Sequence, residues 1–164
     1  MPDLNQTEAL RLKADLAEIV TNSVVYTVST MFGHKIDVLR SESYEPGGKS
    51  ITARVILFQD DSYAIFRFAF DRAMLMMLMS KFYPPEVLEA EKPFEDSACE
   101  IANIVCNRVK TYLNEQGFNL VMHLPSVERG KVDDKGKIVN LNFTLNQDRL
   151  HVDFALTDKK VANG

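Results

Sequence analysis

Apolar positions along the chain switch between two periods. From about Glu8 to Met31, Leu12, Leu16, Ile19, Val20, Ser23, Val24, Thr27 and Met31 recur at three- and four-residue steps. That spacing predicts a helix with one apolar or small face, ended by Gly33. Ile51 to Gln59 is β-branched and apolar. Tyr63, Ile65, Arg67 and Ala69 then alternate against Ala64, Phe66, Phe68 and Phe70. The pair predicts a hairpin turned at Asp60-Asp61-Ser62. His34 to Tyr44 alternates less regularly, with Ile36 and Val38 on one face, and Glu45-Pro46-Gly47-Gly48 reads as a turn. The helical period returns in Pro93 to Gly117, PFEDSACEIANIVCNRVKTYLNEQG. There Ala98, Ile101, Val105, Val109 and Tyr112 share one face. Asp96, Glu100, Asn103, Asn107, Lys110 and Asn114 form a polar stripe opposite, roughly 90° wide.

Between these blocks, Asp71 to Tyr83 is apolar all round, through Met74, Leu75, Met76, Met77, Leu78 and Met79. This predicts a buried helix with Asp71 as its N-cap, stopped by Pro84-Pro85. A methionine-rich surface can also serve as an adaptable interface. Glu86 to Lys92 is a short acidic helix or link. After Gly117, Phe118 to Val127 reads as one strand, and Glu128 to Lys137 as a charged loop. Ile138, Leu141, Phe143 and Leu145 mark the next strand, and Asn146-Gln147-Asp148 turns it back. Leu150, Val152, Phe154 and Leu156 alternate in the last. Residues 1–7 and 157–164 read as loose ends of a single domain whose core spans about 8–156.

The order is helix, three strands, connecting helices, helix, three strands. It predicts an α+β fold built by internal duplication, with two long helices on a mainly antiparallel sheet. Matching Glu18 with Glu100 sets Thr21 against Asn103, with Asn22 one residue out of register. The first helix thus reads as a degenerate copy of the second.

Composition narrows the function classes. The chain has 164 residues, 46% of them hydrophobic and 26% charged, so it can bury a core and is neither disordered nor membrane-embedded. A net charge of −4 argues against a general nucleic-acid binder. No stretch has the pattern of a signal peptide or a membrane span, which predicts a cytoplasmic protein. Cys99 and Cys106 lie seven residues apart on one helix, about 10 Å. That exceeds disulfide reach, roughly 7 Å between Cα atoms, and two reduced thiols are expected. His34, His123 and His151 show no metal-ligand spacing. No phosphate loop, Ser-His-Asp order or zinc motif is present.

The candidate chemistry sits on the second long helix. Asparagine is a poor residue inside a helix, because its side chain competes for backbone hydrogen bonds. Asn103 lies one turn after Glu100, so an acid and an amide point the same way from a rigid support. Such a pair can accept an ion pair and orient a water, and it contains no nucleophile. Two plainer readings stand beside this one. The stripe can be an ordinary solvated face, and Ser97 with Glu100 fits a capping box at a helix start.

Asp96-x-x-x-Glu100-x-x-Asn103 resembles the signature of the CheC/CheX/FliY family of chemotaxis phosphatases. That signature continues to a proline some twenty residues on, where Pro125 stands. The family often has glycine at the position of Asn107. The resemblance runs from about Glu8 to Leu156, and with one intact site it lies nearest to the CheX type. It implies a phosphatase for the aspartyl phosphate of a CheY-like response regulator. Asn103 would position the attacking water, and Glu100 would pair with a lysine of the partner. Asp96 would support the helix start or the interface, and Asn107 would support the site or the partner contact. It implies no cofactor or metal of the chain's own, magnesium being carried by the phosphorylated partner, and a homodimer. The rival is a non-catalytic assembly module, because flagellar switch proteins share this architecture. A small-molecule enzyme lacks any supporting pocket signature.

Overall fold

The computed structural model describes residues 6–39, 50–60, 62–129 and 139–158. The first amphipathic segment forms α1, Gln6–Phe32, longer at both ends than its apolar spacing suggests. Gly33 ends it in the left-handed region, at φ 69°, its N–H bonding back to the Ser29 carbonyl at 3.0 Å. The strand expected from His34 begins only at Asp37. Among the described residues it is β1, Asp37–Leu39. Ile36 is buried just before it, whereas Val38, on this edge strand, is 47% exposed. The turn expected at 45–48 lies outside the described residues.

Strands β2, Ser50–Gln59, and β3, Ser62–Asp71, pair antiparallel from Ser50↔Asp71 to Gln59↔Ser62. Ala53, Val55, Leu57, Phe66, Phe68 and Phe70 turn one face of this hairpin wholly inward. Helix α2 covers Arg72–Met79 and stops short of Tyr83. It is not apolar-buried all round. Met74, Leu75, Leu78 and Met79 are buried, but Met76 is 44% exposed, because eight residues present one face to the core and one to water. Asp71 holds the N-cap position without a side-chain cap bond. Its carboxylate accepts the Arg149 backbone N–H instead, at 2.7 Å. A single 3-10 turn, Val87–Glu89, then leads into α3, Glu91–Glu115.

The segment predicted as one strand from Phe118 to Val127 is two short ones, β4 at Val121–Met122 and β5 at Ser126–Val127. Both pair with β2, and their registers differ by one residue. Met122 faces Leu57, but Val127 faces Ala53. One extra residue is therefore extruded between them, a bulge centred on Leu124 and Pro125. Proline cannot donate to the ladder, which is why the pairing breaks there. Strands β6, Val139–Leu145, and β7, Asp148–Asp158, form the last hairpin. Its turn residues Asn146 and Gln147 both have positive φ, as a two-residue hairpin turn requires. Most of the charged loop after Glu128 and the place of Ile138 lie outside the described residues.

Among the described residues all pairings are antiparallel, in the order β1-β6-β7-β3-β2-β4, with β5 also on β2. The order is symmetric about the β3–β7 pair. Each half lends its first strand to the middle strand of the other half, β1 to β6 and β4 with β5 to β2. At the centre Phe66 stands opposite Phe154, their rings stacked at 5.1 Å.

Both long helices pack on one sheet face, α3 over β2 and β3, α1 over β6. The buried faces of α1 (Leu16, Val20, Val24, Val28) and of α3 (Phe94, Ala98, Ile101, Val105, Val109) merge into one core cluster with the inward residues of the strands. At about 25 cal/mol per Å² of apolar surface removed from water, this cluster is the main driving force for the fold. The helices run antiparallel, as two contacts between them show. The Tyr112 hydroxyl donates to Asp15 at 3.1 Å, while further along Arg108 Nε donates to Ser23 at 3.2 Å. On the opposite sheet face, Arg67 Nε lies 3.1 and 3.0 Å from the two carboxylate oxygens of Glu128, fixing the chain just after β5.

Candidate functional site

The register of α3 decides which plain reading of its polar stripe survives. The helix begins at Glu91, so Pro93 lies in its first turn, where a missing N–H costs nothing. Ser97 then lies well inside the helix. The capping-box reading of Ser97 and Glu100 fails, and so does a helix-start role for Asp96. Gly117, at φ 101°, follows the end of the helix, and Phe118 N–H returns to the Leu113 carbonyl at 3.2 Å.

Glu100 and Asp96 are exposed, and Asn103 and Asn107 are partly buried. Three residues apart on a helix, Glu100 and Asn103 have Cβ atoms roughly 5–6 Å apart, so carboxylate and carboxamide reach one patch of solvent. Among the described residues, neither side chain has a hydrogen-bond or ion-pair partner. Asn107 behaves differently. Its Nδ2 donates to the Asn103 carbonyl at 3.0 Å, which folds it back along its own helix. Thr111 repeats the pattern onto the Asn107 carbonyl, also at 3.0 Å. The structure thus brings Asp96, Glu100, Asn103 and Asn107 onto one side of α3, with the Glu100/Asn103 pair open and Asn107 tied down.

The β4–β5 edge borders this stripe. Asn114 exchanges hydrogen bonds with Leu120, 2.7 Å from Leu120 N–H and 3.2 Å to its carbonyl. At the other end Arg129 reaches Glu95 at 2.6 Å. Helix and edge therefore run side by side in opposite directions between these ties. Glu95 to Asn114 rises about 28 Å as helix, and Leu120 to Arg129 spans about 30 Å as strand. The lengths match, which sets Pro125 level with Asn103. The segment around the bulge is held to β2 by His123 N–H on the Ile56 carbonyl at 2.9 Å and Glu128 N–H on the Thr52 carbonyl at 2.8 Å. The His123 ring packs on Phe58 at 4.4 Å.

The cysteines are inert neighbours. Burial pushes the Cys99 thiol up, and the nearby Asp96 and Glu95 carboxylates push it further. Burial alone raises Cys106 well above the ordinary thiol range. Both stay protonated near neutral pH, so neither is a nucleophile. On the far side of the stripe, the Arg108 guanidinium lies 4.7 Å over the Tyr26 ring of α1, and Tyr26 is 54% exposed. The sequence reading passed over Arg108, Tyr26 and Leu124. Only Pro125 within a strand pattern hinted at the bulge. Among the described residues, no group of three or more His, Cys, Asp or Glu is placed to hold a metal ion. No helix among them is long and apolar enough to cross a membrane.

Comparison with known structures first defines the class. The fold is that of CheX- and CheC-like chemotaxis proteins. CheX from Vibrio vulnificus superposes with a TM-score of 0.71 at 18% identity, covering 87% of this chain and 99% of that one. The CheX–CheY–BeF3–Mg2+ complex from Borrelia burgdorferi gives 0.70 at 18% identity, covering 87% of this chain and 98% of its counterpart. FliY from Thermotoga maritima gives 0.59 at 14% identity, covering 99% and 95%. No curated protein sequence matches the chain. The family profile described as chemotaxis phosphatase CheX matches residues 52–144, more than half of the sequence, and the chain belongs to that family.

Proposed function

We propose that this chain removes the phosphoryl group from the aspartate of a phosphorylated CheY-like response regulator. The reading rests on its membership of the CheX family together with one observation. Glu100 and Asn103 stand open and side by side on a rigid helix, level with Pro125. That a CheX relative has been captured with CheY, beryllofluoride and magnesium supports the choice of partner.

An aspartyl phosphate is already an activated acyl phosphate. The partner carries the magnesium that offsets phosphoryl charge, so this chain needs no metal of its own. What it adds is position. The Asn103 carboxamide holds a water in line with the phosphorus, its oxygen accepting from the water and its NH2 kept toward the phosphoryl oxygens. Water-positioning side chains serve phosphoryl transfer elsewhere in this way. Positioning alone supplies roughly 7–11 kcal/mol in the best intramolecular cases. Glu100 pairs with a lysine beside the partner's phosphoaspartate and fixes the approach. Asp96 extends the acidic docking edge, and Asn107 steadies the helix turn beneath Asn103. No covalent intermediate forms on this chain. It acts in the cytoplasm, and we place it there as a homodimer.

The test is phosphate release from the host's phosphorylated regulators, with wild type and Asn103→Ala side by side. Acceleration by wild type alone supports the reading, and equal rates for the two proteins sink it. A second reading is a non-catalytic assembly module, because the same fold can serve assembly without catalysis. Regulator binding without any acceleration of phosphate loss would select it.

A further inference from the structure

Leu124 is the most exposed large hydrophobic residue among those described, at 88%. A lone exposed leucine is ordinary, but this one is not on a loose loop. It crowns the bulge between β4 and β5, on backbone tied to β2 on both sides through His123 and Glu128. Glu128 is anchored again by the Arg67 pair across the sheet. The matched run of α3 and the β4–β5 edge sets Leu124 and Pro125 level with Asn103 along the helix. A rigid apolar knob therefore stands at the margin of the acid–amide pair, on the side away from α1.

We infer that Leu124 is a docking residue for the receiver domain of the phosphorylated regulator, inserting into an apolar hollow beside its phosphoaspartate. This rests on the phosphatase reading above and names how that site grips its partner. Two observations favour this occupant over a second copy of the chain. An edge strand recruits another strand through unpaired backbone N–H and C=O groups, and a bulge carrying a proline spoils that template. What remains for recognition at this edge is the side chain. The knob is also continuous with the stripe of Asp96, Glu100 and Asn103, so a body covering Asn103 covers Leu124 as well. Glu100 and Asn103 supply polar contacts, and Leu124 supplies the apolar anchor that such interfaces need at their core.

The experiment measures Leu124→Ala and Leu124→Glu by two readouts. The first is equilibrium binding of the full chain to CheY-like receiver domains loaded with beryllofluoride and magnesium. The second is phosphate release over a range of phosphorylated-regulator concentrations. Burying a leucine against a partner leads us to expect about 10-fold weaker binding and a matching rise in KM for Leu124→Ala, with kcat kept. Leu124→Glu should lose more. A residue this exposed should leave the unfolding midpoint unchanged. Unchanged Kd and KM in both variants would overturn the inference. So would a change of oligomeric state in Leu124→Glu with regulator binding intact, because the knob would then belong to a self-interface. If wild type binds the regulator through Leu124 but releases no phosphate, the docking inference stands and the phosphatase reading falls.

Discussion

The two long helices do the same structural work and differ in what they offer to solvent. Each lays an apolar face on the same side of the sheet, and the strands that follow fall in a symmetric order, with β4 and β5 together in the place that β1 takes after α1. Yet α3 presents Glu100 and Asn103 outward, while the matching positions of α1 hold Glu18 and Thr21. Glu18 is exposed like Glu100. Thr21 is not like Asn103, because its hydroxyl donates to the Ala17 carbonyl one turn back, at 2.7 Å. The flanks differ too. A bulged edge with Leu124 and Pro125 runs beside α3. Its topological counterpart for α1 is β1, which is described only over Asp37–Leu39. Packing constrains both copies, since both fill the core. Their outer surfaces carry no such constraint, and it is there that the two copies differ.

The comparison is tested most strongly by removing the two matched side chains. Asn103→Ala is expected to lower phosphate release by about 100-fold or more, the cost of losing a positioned reactant. Thr21→Ala should leave the rate where it was. A similar loss in both would mean that the helices contribute as a pair. The acids give a smaller contrast, since a charged hydrogen-bonded pair is worth about 1.5–3 kcal/mol. Glu100→Ala should weaken binding to the beryllofluoride-loaded regulator by about 10-fold, and Glu18→Ala should not change it. Calorimetric titration of both variants would decide.

Much of this contrast was legible in the chain. The periods of α1, α3 and the β2–β3 and β6–β7 hairpins were strong, because each element buries one continuous face. The acid–amide pair stood out because Asn103 is poorly suited to a helix interior. Three features were hidden, each for a physical reason. The start of α3 was masked by Pro93, which is tolerated anywhere in a first turn, and this kept a capping-box reading of Ser97 alive. The break in the Phe118–Val127 strand turned on a one-residue register slip against β2, which depends on a partner distant in sequence. Asp71 looked like a cap, but its carboxylate is drawn off by the Arg149 backbone, seventy-eight residues away. Local pattern finds faces and helix sites, while long-range pairing decides bulges and the loyalties of polar side chains.

The helices also depend on each other through Arg108, which gives a stability test. Its guanidinium stacks on Tyr26 and its Nε satisfies Ser23, which is wholly buried. Arg108→Ala removes an exposed cation–π contact worth about 0.5–1 kcal/mol. It also leaves a buried hydroxyl without this donor, at roughly 1–3 kcal/mol. The expected loss is about 1.5–4 kcal/mol in urea unfolding, with an unchanged kcat. A large fall in kcat instead would mean that the α1–α3 contact sets the geometry of Asn103, and that α1 is more than a packing copy.

The smallest expected effect asks whether the degenerate helix can be made equivalent. Thr21→Asn in the Asn103→Ala background restores the acid–amide pair on α1 beside Glu18. It breaks the Thr21 bond to the Ala17 carbonyl and costs little stability, since that bond only competes with helix geometry. We expect no recovery of phosphate release. The pair alone does not make a site if the partner must also seat against a bulged edge, and among the described residues the strand in that place beside α1 is β1. Measurable recovery would break the comparison from the other side. It would mean that the acid–amide pair suffices wherever the fold presents it, and that the edge beside α3 adds affinity without defining the site.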